Sequence, residues 1–251
     1  MALPKIDLPI FELKIVSVEN PIKFRPFLMK EEKLLLMALQ SADDEAIYNT
    51  IKQVINNCII GKIDIDKIPI FDIEYLFLNI RARSIGEKLD TYFICKNIVG
   101  QTENSDGEMV DDQCTNLMPI SIDVLSIKPP INDLPTKIYL TDKIGIKMNY
   151  PTLRNFKPLE ELFDSDDSKT IYDAVYQWTD YIFDQAGIYY KKETGKEEFA
   201  EFLESLTQEQ FDKIIDFFDN LPKIALDVDV VCEKCKFSHT IHMEGLSDFF
   251  T

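Results

Sequence analysis

The chain has 251 residues, 45% hydrophobic and 28% charged, with a formal net charge of −17. That is enough apolar material for one large core or two modest ones, in a composition ordinary for a globular protein. The acidic balance repels phosphate backbones, and Lys191-Lys192 is the only adjacent basic pair, so no nucleic-acid partner is expected. No apolar run reaches the roughly 20 residues of a helical membrane span. The first residues lack the charged, apolar and small-residue succession of a signal peptide, so a cytoplasmic location is expected.

Alternating apolar residues from Phe11 to Val16 and from Ile22 to Arg25 predict a hairpin turning at Glu19-Asn20-Pro21. Pro26 ends the second strand. A helix is expected from Met29 to Leu39, with Glu31 and Glu32 in its favourable first turn. Ser41 or Asp43 would cap the next helix, whose stripe of Ile47, Ile51, Val54, Ile55 and Cys58 stops before Gly61. Cys58 reads there as a small buried hydrophobe. A third helix, Pro69 to Arg83, is apolar on most sides and should lie sandwiched inside the fold, leaving at Ser84 to Gly86.

A strand from Leu89 to Ile94 leads into Cys95, and another returns from Pro119 to Ile127 after Cys114. Between them, Asn97 to Gln113 is rich in Gly, Asn, Ser and acids, a composition that predicts an exposed, mobile loop. Tyr92 and Phe93 beside this strand read as core rather than as base-stacking platforms. Lys137 to Tyr150 predicts a second hairpin with Thr141-Asp142-Lys143 in its turn. From Pro151 to Leu221 the pattern is helical, with one helix over Ser168 to Ala186 and another opened by a capping box at Thr207-Gln208-Glu209-Gln210. Strands return from Ile224 to Val231 and from Phe237 to Met243, and the simplest partner for that last hairpin is the one carrying Cys95 and Cys114.

The fold class is therefore α+β, in three parts. Residues 1–88 form a strand hairpin and helical unit. Residues 89–150 with 224–251 form a discontinuous, zinc-ribbon-like β unit of hairpins carrying four cysteines. Residues 151–223 are an inserted helical block.

Cys232-Glu233-Lys234-Cys235 is a knuckle: a two-residue gap lets a tight turn aim two sulfurs at one ion. With Cys95 and Cys114 it makes a four-thiolate set for structural Zn²⁺, although eighteen residues separate those two cysteines. Other readings stay open. The pair would be a redox motif if it opened a helix, but it lies between strands. His239 and His242 would complete a Cys₂His₂ site, but residues three apart in a strand point to opposite faces. All four would otherwise be unliganded buried thiols. Five cysteines in a chain this long do not make a secreted disulfide scaffold.

No glycine-rich phosphate loop, nucleophile elbow or H-E-x-x-H motif occurs. The acid pairs Asp43-Asp44, Asp111-Asp112 and Asp166-Asp167 read as solvated turns, and a closed four-thiolate site has no position for a reacting water. No catalytic residue is assigned, and the chain is not expected to be an enzyme.

The run from Phe71 to Glu87 (FDIEYLFLNIRARSIGE), followed by Phe93-Ile94-Cys95, resembles the baseplate hub assembly proteins of contractile-tailed bacteriophages. The stretch from Pro21 to Lys33 (PIKFRPFLMKEEK) is similar to their N-terminal signature, and Cys232–Cys235 through Glu244–Phe250 to their C-terminal ending. The resemblance implies a non-enzymatic part in building the tail hub in the infected cell. The chain would be a chaperone-like assembly factor in the host cytoplasm or a minor structural subunit of the virion baseplate. Its partners would be baseplate hub proteins; self-association as a homo-oligomer stays open. Asp248-Phe249-Phe250 is a contact candidate, with docking on the chain's own core as the alternative. The second functional reading is a zinc-ribbon adaptor on host or viral transcription or replication machinery.

Overall fold

A computed structural model describes residues 6–41, 44–103, 108–130, 134–153 and 168–245. Six helices and thirteen short strands among these residues give an α+β fold. The expected contact residues Asp248 to Phe250, the cap candidate Asp43 and the acid pair Asp166-Asp167 lie outside the described residues.

The N-terminal unit follows the sequence closely. Strands β1 (Phe11–Leu13) and β2 (Ile22–Phe24) pair antiparallel with Phe11 opposite Phe24. A third strand that the sequence did not signal, β3 (Ile59–Ile60), adds to the other edge of β2. Helix α1 (Met29–Ser41) is opened by Glu31, a fully buried carboxylate that accepts from the Leu28 amide at 2.7 Å and pairs with Arg25 at 3.2 Å. Helix α2 (Asp44–Cys58) buries the expected stripe of Ile51, Val54, Ile55 and Cys58. Burial pushes the Cys58 thiol up to about 11, as befits a cysteine used as a small hydrophobe.

Helix α3 (Ile70–Ile85) is buried at every position from Phe71 to Ile80. Asp72 in that run tethers a distant segment, its carboxylate accepting from the amides of Val16 at 3.0 Å and Ser17 at 2.6 Å. The helix ends at Gly86, whose φ of 134° is open to glycine and rarely to other residues.

Four strands then form one long ribbon. Strand β4 (Lys88–Ile94) pairs with β7 (Leu117–Asp123), and beyond the cysteines β5 (Ile98–Glu103) pairs with β6 (Met109–Gln113). The expectation of a loop over Asn97 to Gln113 is thus corrected. Residues 104–107 of that segment lie outside the described residues; 98–103 and 108–113 are exposed as expected, but pairing at the stem sets the register, and Ile98, Val99, Thr102 and Val110 are strand formers. Asp111 and Asp112 accordingly lie in a strand rather than a turn. The returning strand stops at Asp123, whose side chain accepts from the Leu125 amide and starts a 3₁₀ turn.

Strands β8 (Lys137–Tyr139) and β9 (Gly145–Met148) form the predicted second hairpin. Helix α4 (Ser168–Trp178) is shorter than the 168–186 expected, because the chain turns at Thr179 into β10 (Thr179–Phe183). The Thr179 hydroxyl bonds the Val175 carbonyl, while the Asn149 amide takes the Trp178 carbonyl. The β-branched and aromatic residues that follow then pair with β9. With β11 (Ile188–Tyr190) they complete a sheet of order β11-β10-β9-β8. Gly145 is obligatory there: a Cβ would lie 2.6 Å from the Ile138 carbonyl oxygen. Helices α5 (Lys196–Glu204) and α6 (Gln208–Asp219) cover this sheet, and α6 opens with the predicted capping box between Thr207 and Gln210. Their buried residues form a separate core with Ile146, Met148, Val175 and Trp178.

The last described elements are β12 (Ala225–Val231) and β13 (Ser238–Glu244), paired from Ala225–Glu244 to Val231–Ser238. Among the described residues this hairpin does not extend the β4–β7 sheet, contrary to the expected pairing. Side chains join the two instead: Ile224, Ile241 and Met243 enter the main core with Ile120 and Ile122, and the cysteines meet at the tips.

Candidate metal centre

Two hairpins deliver four sulfurs to one point. Cys95 and Cys114 sit where the long ribbon is interrupted, held by paired bonds: the Cys95 amide donates to the Asn116 carbonyl at 2.9 Å, and the Cys114 amide to the Asn97 carbonyl at 2.8 Å. Cys232 and Cys235 occupy the turn of the last hairpin, where the Lys236 amide donates to the Cys232 carbonyl at 2.9 Å. Each turn is closed by a non-glycine residue with positive φ, Thr115 at 52° and Lys236 at 63°. Such backbone is costly for a β-branched residue and gathers at functional sites.

All four Sγ atoms lie within 4.8 Å of one another. Cys95 and Cys235 are 3.6 Å apart, and Cys114 and Cys232 are 3.8 Å apart. These are far beyond a disulfide length of about 2.05 Å. They match the edge of a tetrahedron with Zn–S bonds of about 2.3 Å, for which S···S separations are about 3.8 Å. Cys95, Cys114 and Cys232 are buried and Cys235 half-buried, so a bound ion would be enclosed. The donor set fits a closed four-thiolate site for a borderline-soft divalent ion.

The surroundings divide the thiols into two kinds. Backbone amides of Cys235 and Lys234 point at Cys232 and lower its pKa to about 6, and the Phe237 amide lowers that of Cys235. Burial instead pushes the Cys95 thiol up to about 12 and raises Cys114. Backbone amides thus favour the thiolate at the knuckle, while burial favours the protonated thiol at the ribbon pair, which would have to lose its protons to ligate a cation.

Three polar side chains support the sulfurs. Asn97 Nδ2 donates to Cys235 at 3.6 Å, and Asn116 Nδ2 donates to Cys232 at 3.6 Å. The arrangement is reciprocal: each asparagine lies two residues after a ribbon cysteine and bonds a sulfur of the other hairpin. Sequence reading overlooked both, although the repeated Cys-x-Asn of Cys95-Lys96-Asn97 and Cys114-Thr115-Asn116 was the available signal. The third is His239, whose Nε2 lies 3.1 Å from Cys95 and whose ring packs near Phe93 and Phe237.

The two histidines diverge as the strand geometry required. His239 faces the centre, whereas His242 is exposed and bonded to Asp227 at 2.6 Å and Glu244 at 3.0 Å. A Cys₂His₂ set using both is therefore excluded by position, and His239 serves as a hydrogen-bond partner of Cys95. The Cys232–Cys235 turn lies between β12 and β13 and does not open a helix, which removes the structural basis of the redox-motif reading. Among the described residues, no helix is long and apolar enough to cross a membrane.

Comparison with known proteins adds the biological setting. The family profile described as T4 bacteriophage base plate protein matches residues 8–251. Searches of curated proteins and of solved structures found no match. The profile spans the N-terminal unit, both hairpins and the block between them, so the chain belongs to the T4 bacteriophage base plate protein family, and its role is associated with the phage baseplate.

Proposed function

We propose that this protein is a non-enzymatic assembly factor of the baseplate hub, acting through protein–protein contacts and holding one structural Zn²⁺ on Cys95, Cys114, Cys232 and Cys235. The observation that carries the metal reading is the convergence of four sulfurs within 4.8 Å of one another, two pairs of them at 3.6 and 3.8 Å, from positions as far apart as residues 95 and 235. Zn²⁺ is the reading that suits a structural role, since it takes four thiolates in a tetrahedron and carries no redox chemistry. With four protein thiolates the ion has no open position. It supplies folding energy and fixes the angle between two hairpins, and what results is a shaped surface.

The acidic chain acts in the host cytoplasm on other baseplate hub proteins, guiding them into the hub or staying as a minor subunit. Two experiments test this reading. Elemental analysis of protein purified without chelator or affinity metal should return one zinc per chain; a value below a few tenths overturns the metal assignment. Co-expression with each baseplate hub protein of the same phage should yield a complex or raise that protein's soluble assembly. No effect across the full set overturns the assembly role. Mass spectrometry of purified particles then separates a departing factor from a retained subunit.

A further inference from the structure

A two-stranded antiparallel sheet with one face on the core should alternate apolar-in and polar-out. The β4–β7 sheet obeys this on its inner face, where Leu89, Met118, Ile120 and Ile122 are buried. Its outer face obeys it only at the end near α3, where Lys88 lies opposite Asp123 and Asp90 opposite Ser121. Toward the cysteines the rule breaks. Ile94 lies opposite Leu117, and Tyr92 opposite Pro119. All four are exposed, Tyr92 at 66%, Leu117 at 55% and Ile94 at 52%. Single exposed apolar residues are ordinary, but two adjacent cross-strand pairs form a contiguous patch of the kind that marks an interaction site.

Two further features define what would cover the patch. Pro119 removes an outward backbone donor from β7, which disfavours addition of another strand at that edge and leaves the face as the contact. Charge defines the partner's chemistry. Between Lys96 and Lys128 the chain contains six acids and no lysine or arginine, and the β5–β6 hairpin projecting beyond the patch carries Glu103, Glu108, Asp111 and Asp112. A second copy of this chain, itself at −17, would be repelled. We propose that the outer face of β4–β7, with the acidic hairpin beside it, is the docking surface for a baseplate protein that presents an apolar side chain ringed by lysine and arginine. The patch is tied to the metal centre, since Ile94 precedes Cys95 and Leu117 follows Asn116, which donates to Cys232. This inference rests on the assembly reading above and assigns it a surface.

The test uses the full chain carrying Tyr92→Ser, Ile94→Thr and Leu117→Thr, co-expressed with the baseplate proteins of the same phage and compared with the unaltered chain. Zinc content and circular dichroism should be unchanged, while the affinity for the partner falls at least about tenfold, as expected of a contact centre. Asp111→Lys with Asp112→Lys should weaken the same complex and flatten its salt dependence. A control pair on another sheet, Ile188→Thr with Tyr189→Ser, should leave binding intact. Should the triple variant not fold, a photoreactive benzoylphenylalanine at Tyr92 alone must crosslink to a lysine- or arginine-bounded site on the partner. Unaltered binding by the folded triple variant, equal loss in the control pair, or crosslinking to a second copy of this chain each overturns the surface while leaving the assembly role standing. If the unaltered chain binds no baseplate protein, both fall together.

Discussion

The block around β8–β11 and the four-cysteine centre are held together by opposite means. The first is an aromatic core: Trp178 against Phe218, Phe217 against Phe218 and Tyr150, and Tyr176 against Phe199, with ring centroids 5.1–5.9 Å apart. The second has little apolar volume: among the described residues only Met118 is buried beside the thiols, with Phe93 and Val230 at its margin. Two-stranded hairpins are marginal in water on their own. The difference teaches where a staple is needed: helices closing on a sheet exclude water by packing, while two hairpin tips cannot and depend on converging donors instead.

The proposed zinc site is the point at which one region can be perturbed without the other. Structural zinc sites contribute apparent binding free energies of about 10–16 kcal/mol, so Cys232→Ser with Cys235→Ser, or chelation, should unfold the hairpin tips. The helical block should survive: hydrogen exchange is expected to accelerate over 93–118 and 228–241 while α4 to α6 stay protected. Uniform loss of protection would mean that the two regions are one cooperative unit.

The reverse perturbation is Phe217→Ala, which removes a buried ring and should cost about 3–5 kcal/mol, read as a lowered urea midpoint with zinc content unchanged. A smaller effect is expected at His239. Its Nε2 lies 3.1 Å from Cys95, where an Nε2–H tautomer would donate to the sulfur once a metal holds it as thiolate, and loss of such a supporting partner weakens metal sites by roughly 10–100-fold. His239→Phe should show that loss in a competition titration with a chromophoric chelator, whereas His239→Gln, which keeps a donor, should restore part of it.

The smallest effect is at His242, whose pKa is raised by its bonds to Asp227 and Glu244. Because the folded value lies above the unfolded one of about 6.5, the contribution is full below that pH and is lost as pH rises through the folded value. His242→Gln should therefore reduce stability slightly near pH 6 and not at all well above neutrality, as thermal melts across pH will show. An equal deficit at high pH would indicate lost packing rather than charge.

Local chemistry was readable in the chain wherever a single element decides its own structure. The Ile51 to Cys58 stripe, the all-round apolar α3, the Thr207 capping box and the Cys232–Cys235 turn each carry their signal within a few residues, because periodicity and capping are short-range. The opposed directions of His239 and His242 followed from strand geometry alone. What failed was long-range: β3 exists because the edge of β2 needs a partner, α4 stops at Trp178 because β9 offers pairing to β10, and Ile98–Glu103 and Met109–Gln113 became strands because their stem is registered by the cysteine turns.

The same boundary runs through the candidate site. The sequence by itself determined which sulfurs were available and that one pair formed a tight turn. Tertiary structure alone decided that Cys95 and Cys114 stand opposite that turn at 3.6–3.8 Å, with Asn97, Asn116 and His239 turned toward the sulfurs. Spacing along a chain fixes a local turn, but the convergence of groups more than a hundred residues apart depends on how the intervening cores pack.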